Sequence, residues 1–429
     1  MSARTLAQWL EFIGRQHPDA IALGLDRVRA VLGRMDAGIG CPLVTVAGTN
    51  GKGSVCAMLE RILLASSRRV GLYTSPHLLR YNERVRIAGQ EVPDAPLVQA
   101  FAAVEQARGT VPLTYFEYGT LAAFWLFARA ELDAVVLEVG LGGRLDAVNV
   151  LDADCAIVTG IGLDHMEYLG ESREAIGREK AGIFRQGRAA VVADPDPPAS
   201  VLDAAAGLKA PLLLFGRDFG LRAHAGQWDY WGPAGRRAAL GHPALRGKRQ
   251  LRNAAAALAA LDALRERLPV GMQDVRRGLA EVELPGRFQV LPGRPQVILD
   301  VAHNPEAAEA LAENLGAAGF AAETIAVFGM LRDKDIAGVA LQLAPRVTRW
   351  HLCTLTGPRG TDAEDLARIL SSAGIRTPLT RHRSVAAALA AAREEAGEND
   401  KIVAFGSFLT VAEVMQSLAA TRNGAGTHG

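Results

Sequence analysis

The chain has 429 residues, of which 49% are hydrophobic, and its 47 basic residues nearly balance its 46 acidic ones. This length and composition are typical of a globular protein of two or three domains. The chain lacks the basic excess of a duplex-binding domain, so we expect no nucleic-acid partner. It also lacks the run of about 18 apolar residues that spans a membrane, so we expect no membrane partner. No CxxC pair occurs and residues 1–11 lack the order of a signal peptide, which predicts a cytoplasmic protein without a zinc cage.

The first part of the chain alternates predicted strands and helices. After an amphipathic helix near 6–13, strands are predicted at 43–47, 70–74, 134–139, 155–159 and 189–193, and helices near 54–66, 96–108, 116–132 and 172–181. Polar and aromatic residues alternate at 224–231, which predicts a small antiparallel insertion, and two alanine-rich helices follow at 250–266 and 272–282. This alternation favours a mostly parallel sheet covered by helices.

Proline and glycine residues punctuate the stretch 284–295, which is typical of a domain boundary. Strand and helix patterns alternate again beyond it, with strands predicted at 296–301, 324–328, 349–354 and 401–405. The sequence therefore predicts an α/β protein with a domain at 1–287, a hinge linker at 288–295 and a smaller, Rossmann-like α/β domain at 296–429.

A glycine-rich segment follows the first predicted strand and consists of Gly48, Thr49, Asn50, Gly51, Lys52, Gly53 and Ser54. Glycines let backbone N–H groups converge on phosphate oxygens, Lys52 adds a positive charge, and the start of the next helix favours anions. Aligned with the pattern G-x-x-x-x-G-K-[ST], the sequence has Val46 in place of the first glycine and Gly53 in place of the serine or threonine. The Ser54 hydroxyl lies one position beyond that last place. It still predicts a loop that binds the phosphates of ATP, rather than an ordinary strand–helix turn.

Further motifs lie in order along the chain, at 21–25, 73–77, 115–120, 138–146, 178–184, 284–288 and 300–305. Together with the phosphate loop they resemble the folylpolyglutamate synthase family of the Mur ligase superfamily, over essentially the whole chain, and most of all its bifunctional bacterial members. The resemblance implies a P-loop ATPase domain of the Mur ligase central-domain type, followed by a C-terminal domain that completes the ATP and glutamate site.

The resemblance also implies an activity. It is an ATP-dependent ligase that joins L-glutamate to dihydropteroate, giving dihydrofolate, and to tetrahydrofolate or its polyglutamates, through an acyl phosphate. Such a reaction needs positioned cations and backbone donors rather than a side-chain nucleophile. We expect a monomer whose partners are these small molecules.

Three candidate magnesium ligands follow predicted strands. Glu138 follows the apolar run 134–137, so we expect it at the carboxyl end of a strand. Ligands bind at this edge in open α/β sheets, and a carboxylate there can hold Mg²⁺. The alternative is that Glu138 is a buried acid that caps a helix. Taken alone, His165 is typical of a structural histidine and Ser75 of a helix-starting serine. The resemblance implies that both bind magnesium.

Lys180 is typical, from sequence alone, of a solvated helix face. The resemblance implies instead that it reacts with CO₂ to form a carbamate that supports a second Mg²⁺. This requires a neutral and therefore partly buried amine. The implied catalytic residues are Lys52, Glu138, His165 and Lys180, and the implied cofactors are ATP, two Mg²⁺ ions, a monovalent cation and CO₂ as the lysine carbamate.

The resemblance assigns two further groups of residues. The pteroate group comprises Ile21, Ala22, Leu23, Gly24, Thr114, Tyr115, Phe116, Glu117, Leu145, Asp146 and Ala147. The nucleotide group comprises Asn253, Arg287, Asp300 and His303. Without the resemblance, Phe116 is typical of core at a helix start, Asn253 of a polar helix residue and Arg287 of a solvated linker charge. Asn304 and Pro305 predict a helix cap followed by a first-turn proline.

Other functions fit the sequence less well. A monofunctional folylpolyglutamate synthase would keep every motif but refuse dihydropteroate. A nucleotide-switched binding protein of the GTPase or motor class would keep the phosphate loop, but it usually carries an N-K-x-D motif, which the sequence lacks. Residues 140–143 resemble a dinucleotide fingerprint but lack its third glycine and its helix, so we do not expect NAD.

Overall fold

The structure, a computed structural model, describes residues 4–19 and 21–425. These residues form two compact units. The first contains the described residues up to Ala244 together with Gln250–Val282, and the second contains Leu245–Arg249 and the described residues from Glu283 onward. The chain thus passes finally into the second unit at 282/283, a few residues before the boundary predicted at 287.

The helices of the first unit include α9, whose first two residues belong to the second unit. The helices are α1 (Leu6–Ile13), α2 (Asp26–Leu32), α3 (Lys52–Ala65), α4 (Asp94–Arg108), α5 (Tyr115–Phe127), α6 (Met166–Leu169), α7 (Arg173–Ala181), α8 (Ala199–Gly207), α9 (Lys248–Ala263) and α10 (Met272–Ala280). Its strands are β1 (Leu43–Ala47), β2 (Val70–Tyr73), β3 (Val85–Ile87), β4 (Gln90–Glu91), β5 (Ala134–Glu138), β6 (Cys155–Val158), β7 (Ala189–Val192), β8 (Leu212–Leu214), β9 (Gly220–Ala223), β10 (Gln227–Gly232) and β11 (Gly235–Gly241).

The large sheet of the first unit has the strand order β4-β3-β2-β5-β1-β6-β7-β8. The six strands from β2 to β8 in this order are parallel, and β3 and β4 add an antiparallel edge. Within the register, Val46 lies opposite Glu138 and Ala47 lies opposite Val158. The carboxyl ends of β1, β5 and β6 therefore meet at one edge, and the predicted mostly parallel sheet is confirmed.

A separate three-stranded antiparallel sheet, β11-β10-β9, follows the large sheet along the chain. Its central strand carries the buried side chains of Trp228 and Tyr230. The Tyr230 hydroxyl donates to Oδ2 of Asp262 on α9 at 2.6 Å, which attaches this sheet to the helix that follows it. The antiparallel insertion predicted near 224–231 is this sheet.

The second unit is a smaller α/β unit. Its strands are β12 (Gln289–Leu291), β13 (Gln296–Leu299), β14 (Thr324–Phe328), β15 (Arg349–Cys353), β16 (Leu379–His382) and β17 (Lys401–Phe405). Its helices are α11 (Pro305–Ala317), α12 (Ile336–Leu343), α13 (Ala363–Ser372), α14 (Val385–Glu395) and α15 (Phe408–Ala425). The sheet order is β12-β13-β17-β14-β15-β16, with β12 antiparallel and the other strands parallel.

The segment 288–295 is not the linker that we predicted from its prolines and glycines. Residues Gln289–Leu291 pair antiparallel with Val297–Leu299, so the segment forms one arm and the turn of a β-hairpin. Proline and glycine are as typical of a hairpin turn as of a linker, and only the pairing distinguishes the two. Within the part of the chain that the structure describes, no helix has the length and apolar character needed to cross a membrane.

Candidate active site

The predicted phosphate loop lies between β1 and α3. Gly48 and Gly51 have φ angles of 150° and 93°, which residues other than glycine rarely adopt. A Cβ atom on Gly48 would lie 1.9 Å from Oγ1 of Thr159, and one on Gly51 would lie 2.7 Å from Oδ1 of Asn253. Both positions therefore require glycine, for backbone conformation and for space. Helix α3 begins at Lys52, earlier than the predicted start near 54.

Contacts from the segment after β6 hold this loop. The Thr49 N–H donates to the Gly160 carbonyl at 2.7 Å, and the Thr49 hydroxyl oxygen accepts from the Gly162 N–H at 3.0 Å. The Thr159 hydroxyl donates to the Asn50 carbonyl at 2.7 Å. The loop is thus fixed by hydrogen bonds at two consecutive residues, which leaves it little freedom to change shape when a phosphate arrives.

The two polar side chains at the start of α3 have different surroundings. Nζ of Lys52 donates to the carbonyl oxygens of Gly48 and Thr49 at 3.1 and 3.2 Å, so its charge lies over the loop. A phosphate oxygen is a stronger partner for an ammonium than a neutral carbonyl, and the loop therefore suits an anionic ligand. Ser54 is buried in the first turn of the helix.

Ser75 and Glu138 are brought together by adjacent strands. Ser75 follows β2, Glu138 ends β5, and the Ser75 N–H donates to Oε2 of Glu138 at 3.1 Å. Glu138 is buried. It accepts from the N–H of a loop residue, and no helix begins at Ser75. The helix start that Ser75 suggested in the sequence is therefore not formed.

His165 lies on the loop after β6, at the start of the short helix α6. Its φ of 52° is uncommon for a residue other than glycine and marks a constrained backbone. Its N–H donates to Oδ1 of Asp164 at 2.9 Å. Asp164, which the sequence analysis missed, brings a mostly buried carboxylate to the same loop.

Lys180 is buried in α7, with 3% of its surface exposed, and does not lie on the solvated helix face that its sequence context indicates. Burial, followed by the nearby positive charge of Lys52, lowers the pKa of Lys180 to about 7, and Asp164 and Asp146 oppose the shift. The neutral amine is therefore well populated near pH 7. This is the state in which a lysine can act as a nucleophile towards CO₂.

The predicted metal ligands are a serine, a glutamate, a histidine and a lysine. Among the described residues there is no group of three or more histidine, cysteine, aspartate or glutamate side chains that could hold a metal ion. The buried carboxylate of Glu138 beside Ser75 nevertheless offers oxygen donors of the kind that Mg²⁺ prefers. These residues fit a divalent cation whose remaining oxygen ligands come from phosphate and water.

The predicted pteroate residues come from three segments. The Phe116 ring, at the start of α5, lies 5.9 Å from the Tyr73 ring, centroid to centroid. A Cβ on Gly140 would lie 2.7 Å from Cζ of Phe116, so this ring packs on the chain just after Glu138. The Gly24 N–H donates to the Leu145 carbonyl at 3.2 Å.

The carboxyl group of Asp146 is buried and accepts two backbone hydrogen bonds. The Leu141 N–H donates to its Oδ2 at 2.9 Å and the Val148 N–H to its Oδ1 at 3.0 Å. Burial raises the pKa of Asp146 to about 7, although these backbone donors lower it. Near pH 7 this group can therefore be either a hydrogen-bond donor or a carboxylate.

Glu117, also predicted for pteroate, has partners of its own. Together with Thr114 it forms a capping box at the start of α5. Its carboxylate also pairs with Arg27 at 2.9 Å. Arg27 was missed because no local pattern connects positions 27 and 117.

The nucleotide residues predicted in the second unit surround the end of β13. Asp300 is half-buried and accepts from the N–H groups of Phe288 and Ala302 at 2.9 and 2.8 Å. Burial raises its pKa, and Arg287 is the largest opposing influence. The Arg287 guanidinium lies 5.2 Å from the ring centroid of Phe408, an aromatic residue that the sequence analysis missed, although it follows β17 at the carboxyl edge of the sheet.

The remaining predicted residues have defined contacts as well. His303 contacts the Val301 carbonyl through Nδ1 at 2.8 Å. Asn304 accepts from the Ala307 N–H at 2.9 Å and caps α11, whose first residue is proline, as predicted. In the first unit, Asn253 is buried on α9 beside Gly51 of the phosphate loop.

Comparison with known proteins places this geometry in a family. Residues 46–261 match the Mur ligase middle domain, and residues 286–408 match the Mur ligase glutamate ligase domain. Dihydrofolate synthase/folylpolyglutamate synthase of Escherichia coli (strain K12) is 46% identical over 424 residues, covering 99% of this chain and 98% of that protein. The protein of the same name from Haemophilus influenzae is 42% identical over 95% of this chain and 96% of its own length.

Solved structures agree with the sequence comparisons. E. coli FolC in complex with DHPP and ADP has a TM-score of 0.93 and 46% identity, covering 98% of this chain and 99% of that one. The Yersinia pestis bifunctional enzyme complexed with AMPPNP and a Mn ion has a TM-score of 0.89 and 46% identity, covering 97% and 98%. Folylpolyglutamate synthase of Mycobacterium tuberculosis, complexed with ADP and AMPPCP, has a TM-score of 0.85 at 30% identity, covering 95% and 97%. This chain therefore belongs to the dihydrofolate synthase/folylpolyglutamate synthase family of Mur ligases, which are ATP-dependent ligases.

Proposed function

We propose that this chain joins L-glutamate to dihydropteroate, giving dihydrofolate, and to tetrahydrofolate or its polyglutamates, with conversion of ATP to ADP and phosphate. The observation that carries the proposal is the phosphate loop at the carboxyl end of β1, where Nζ of Lys52 lies over the Gly48 and Thr49 carbonyls. Fixed cations and backbone donors are what phosphoryl transfer needs from a protein. The ligands DHPP and ADP in the E. coli FolC structure support this choice of substrates.

The proposed reaction has two steps. A carboxylate oxygen of dihydropteroate attacks the γ-phosphorus of ATP, and the bond from that phosphorus to ADP breaks. The amine nitrogen of glutamate then attacks the acyl carbon, phosphate leaves with one former carboxylate oxygen, and the nitrogen loses a proton. Lys52 and the backbone of Gly48–Ser54 hold the phosphates during the first step.

Ser75, Glu138, His165 and a carbamate on Lys180 are the proposed ligands of two Mg²⁺ ions, with a monovalent cation bound nearby. Bound there, Mg²⁺ would neutralise phosphate charge and align ATP with the attacking carboxylate. The Mn ion and AMPPNP in the Y. pestis structure support the use of a divalent ion with the nucleotide. Glu138 is held for this role by the Ser75 N–H.

The proposed carbamate forms when the neutral Lys180 amine attacks CO₂ and releases one proton. The burial that lowers the pKa of this amine makes the reaction possible near pH 7. The product is an anion beside Lys52. Carbamylation thus replaces a neutral amine by an anion that the positive charge of Lys52 stabilises.

The remaining proposed contacts belong to two ligands. Phe116 and Asp146, with segment 21–24, bind the pteroate group, since a flat heteroaromatic amide suits an aromatic wall and a carboxyl group. Asn253, Arg287, Asp300 and His303 bind the nucleotide. We propose a monomer as the active form. We propose the cytoplasm as its compartment because all four cysteines are free thiols.

A coupled assay of ADP release tests the proposal. Dihydropteroate, tetrahydrofolate and no folate are compared in parallel, each with and without L-glutamate. Release of ADP that requires glutamate and occurs with both acceptors supports the bifunctional enzyme. Release with tetrahydrofolate alone indicates a monofunctional folylpolyglutamate synthase, the second candidate, which the 30% identity to the M. tuberculosis enzyme keeps open. ADP release that is indifferent to both substrates contradicts the ligase.

A further inference from the structure

Arg27, on α2, connects two segments that lie far apart in the chain. Its Nη2 donates to the Ala22 carbonyl at 2.6 Å, and its Nε donates to both carboxylate oxygens of Glu117 at 3.1 and 3.2 Å. The same Nη2 lies 2.9 Å from Oε1 of Glu117. One guanidinium group therefore joins the segment 21–24 to the start of α5, and both of these are proposed to bind pteroate.

The carboxylate of Glu117 is fully occupied by these contacts. Its Oε2 also accepts from the Thr114 N–H at 2.8 Å, which completes the capping box of α5. Only 4% of the Glu117 side chain is exposed, compared with 26% of Arg27. A buried carboxylate with several N–H donors and a paired cation has little capacity left to recognise a heterocycle.

The segment 21–24 depends on contacts of this kind. Its residues belong to no helix or strand, so its position is not set by a regular backbone ladder. The Gly24 N–H bonds to the Leu145 carbonyl, and the Ala22 carbonyl bonds to Arg27. Loss of the Arg27 contact would leave this segment attached to its neighbours mainly through the Gly24 end.

We propose that Arg27 and Glu117 are positioning residues of the pteroate site: Glu117 anchors Arg27, and Arg27 holds segment 21–24 against the site without either side chain touching the pterin. The inference rests on the proposed function, and it removes Glu117 from the set of residues that contact pteroate. Asp146 is then the carboxyl group of the predicted set that can face the pterin. Neither Arg27 nor Glu117 belongs to the phosphate loop, so ATP binding there should not depend on them.

A double-mutant cycle separates positioning from direct recognition. The variants are R27M, E117Q and R27M/E117Q, and the dissociation constant of dihydropteroate is measured by titration calorimetry in each. R27M leaves a buried carboxylate without its cation, so we expect the dissociation constant to rise by roughly tenfold or more. E117Q keeps an oxygen for Thr114 and Arg27 and should have a smaller effect. The double variant should bind more tightly than R27M, because the unpaired charge is gone.

Direct recognition of the pterin by Glu117 predicts the opposite order. E117Q would then be at least as damaging as R27M, and the double variant would bind no better than R27M; either result overturns the proposal. Steady-state kinetics give a second readout. Positioning predicts a higher KM for dihydropteroate with little change in kcat or in the KM for ATP, and a partial recovery in R27K, which keeps the charge but not the forked geometry.

R29M is the matched control, since Arg29 lies on the same helix and its side chain pairs with the exposed Asp26 on the surface. Its dissociation constant should equal that of the wild type, and thermal unfolding of every variant shows whether the fold is retained. An unchanged dissociation constant in a folded R27M variant overturns the positioning role alone. Failure of the wild type to bind either dihydropteroate or tetrahydrofolate overturns the proposed function, and this inference with it.

Discussion

Lys52 of the phosphate loop and Lys180 of α7 are electrostatic neighbours, although 128 positions separate them in the sequence (180 − 52). Burial and then the charge of Lys52 lower the pKa of Lys180 to about 7. If both lysines remained charged, they would repel each other at this edge of the sheet. The fold therefore favours one ammonium, on the loop, and one neutral amine that is open to modification.

Replacing Lys180 tests that modification. K180A and K180R both remove the amine that reacts with CO₂, and we expect kcat to fall by roughly 100-fold or more in each, even though K180R keeps a cation. Native mass spectrometry of the intact wild type in bicarbonate should detect one added CO₂ that K180R lacks.

Lys401 is the internal control for that measurement. It is also buried, but its Nζ donates to the Ala318 and Gly319 carbonyls at 3.0 and 2.6 Å, so K401R should keep the added CO₂ of the wild type. A variant K180R with full activity would contradict the role given to the carbamate.

The raised pKa of Asp146 predicts a dependence of stability on pH. Burial raises this pKa from 3.8 to about 7, so between these values the folded protein binds more protons than the unfolded chain. The contribution of Asp146 to the free energy of unfolding is therefore fully present below about pH 3.8 and is lost as the pH rises towards 7. In D146N this component is absent. We expect Tm to fall by roughly 5 °C more in the wild type than in D146N between about pH 5 and about pH 8. Parallel curves for the two proteins would show that Asp146 is ionised throughout.

Thr159 should stabilise the phosphate loop through its hydroxyl. T159V removes the hydrogen bond to the Asn50 carbonyl, which is worth about 1 kcal/mol, and should raise the KM for ATP by roughly fivefold, whereas T159S should retain most of the affinity. T45V is the matched control. The Thr45 hydroxyl is buried on the neighbouring strand and has no hydrogen-bond partner among the described residues, so its loss should leave the KM for ATP unchanged. Equal effects of T159V and T45V would point to general packing instead of loop geometry.

The positions of Ser54 and Ser75 predict different consequences of losing each hydroxyl. Ser75 lies beside Glu138, where Mg²⁺ is proposed to bind, while Ser54 is buried in the first turn of α3. S75A should raise the Mg²⁺ concentration for half-maximal activity by roughly tenfold or more, and S54A should raise it much less. The reverse order would assign the metal to the loop hydroxyl, as in phosphate loops that carry a serine or threonine directly after the lysine.

Local patterns predicted the parts of the fold that depend on local chemistry. The strand 43–47 and the strand 324–328 were predicted at the bounds observed for β1 and β14, because their apolar runs end at turn residues. The cap at Asn304 and the first-turn proline of α11 were also predicted, since capping requires only neighbouring residues. The hairpin at 289–299 was predicted as a linker, because strand pairing is not visible in composition.

The parts of the site that were missed depend on tertiary packing. Lys180 is part of a charged run in the sequence, and only the packing of α7 removes it from solvent. Arg27 and Glu117 lie 90 positions apart, so no spacing rule pairs them. Asp164 precedes His165, which was predicted to be functional only through the resemblance. Its charge raises the pKa of Lys180, which lies on a different element.

Transfer of an oxygen isotope tests most directly the claim that this chain activates a carboxylate with ATP. Dihydropteroate labelled with ¹⁸O at both carboxylate oxygens is incubated with the enzyme, ATP, Mg²⁺ and L-glutamate, and the released phosphate is analysed by mass spectrometry. Because the carboxylate oxygen attacks the γ-phosphorus and later leaves with it, we expect one ¹⁸O atom in each phosphate that is released together with dihydrofolate. Dihydrofolate formed with unlabelled phosphate would contradict it.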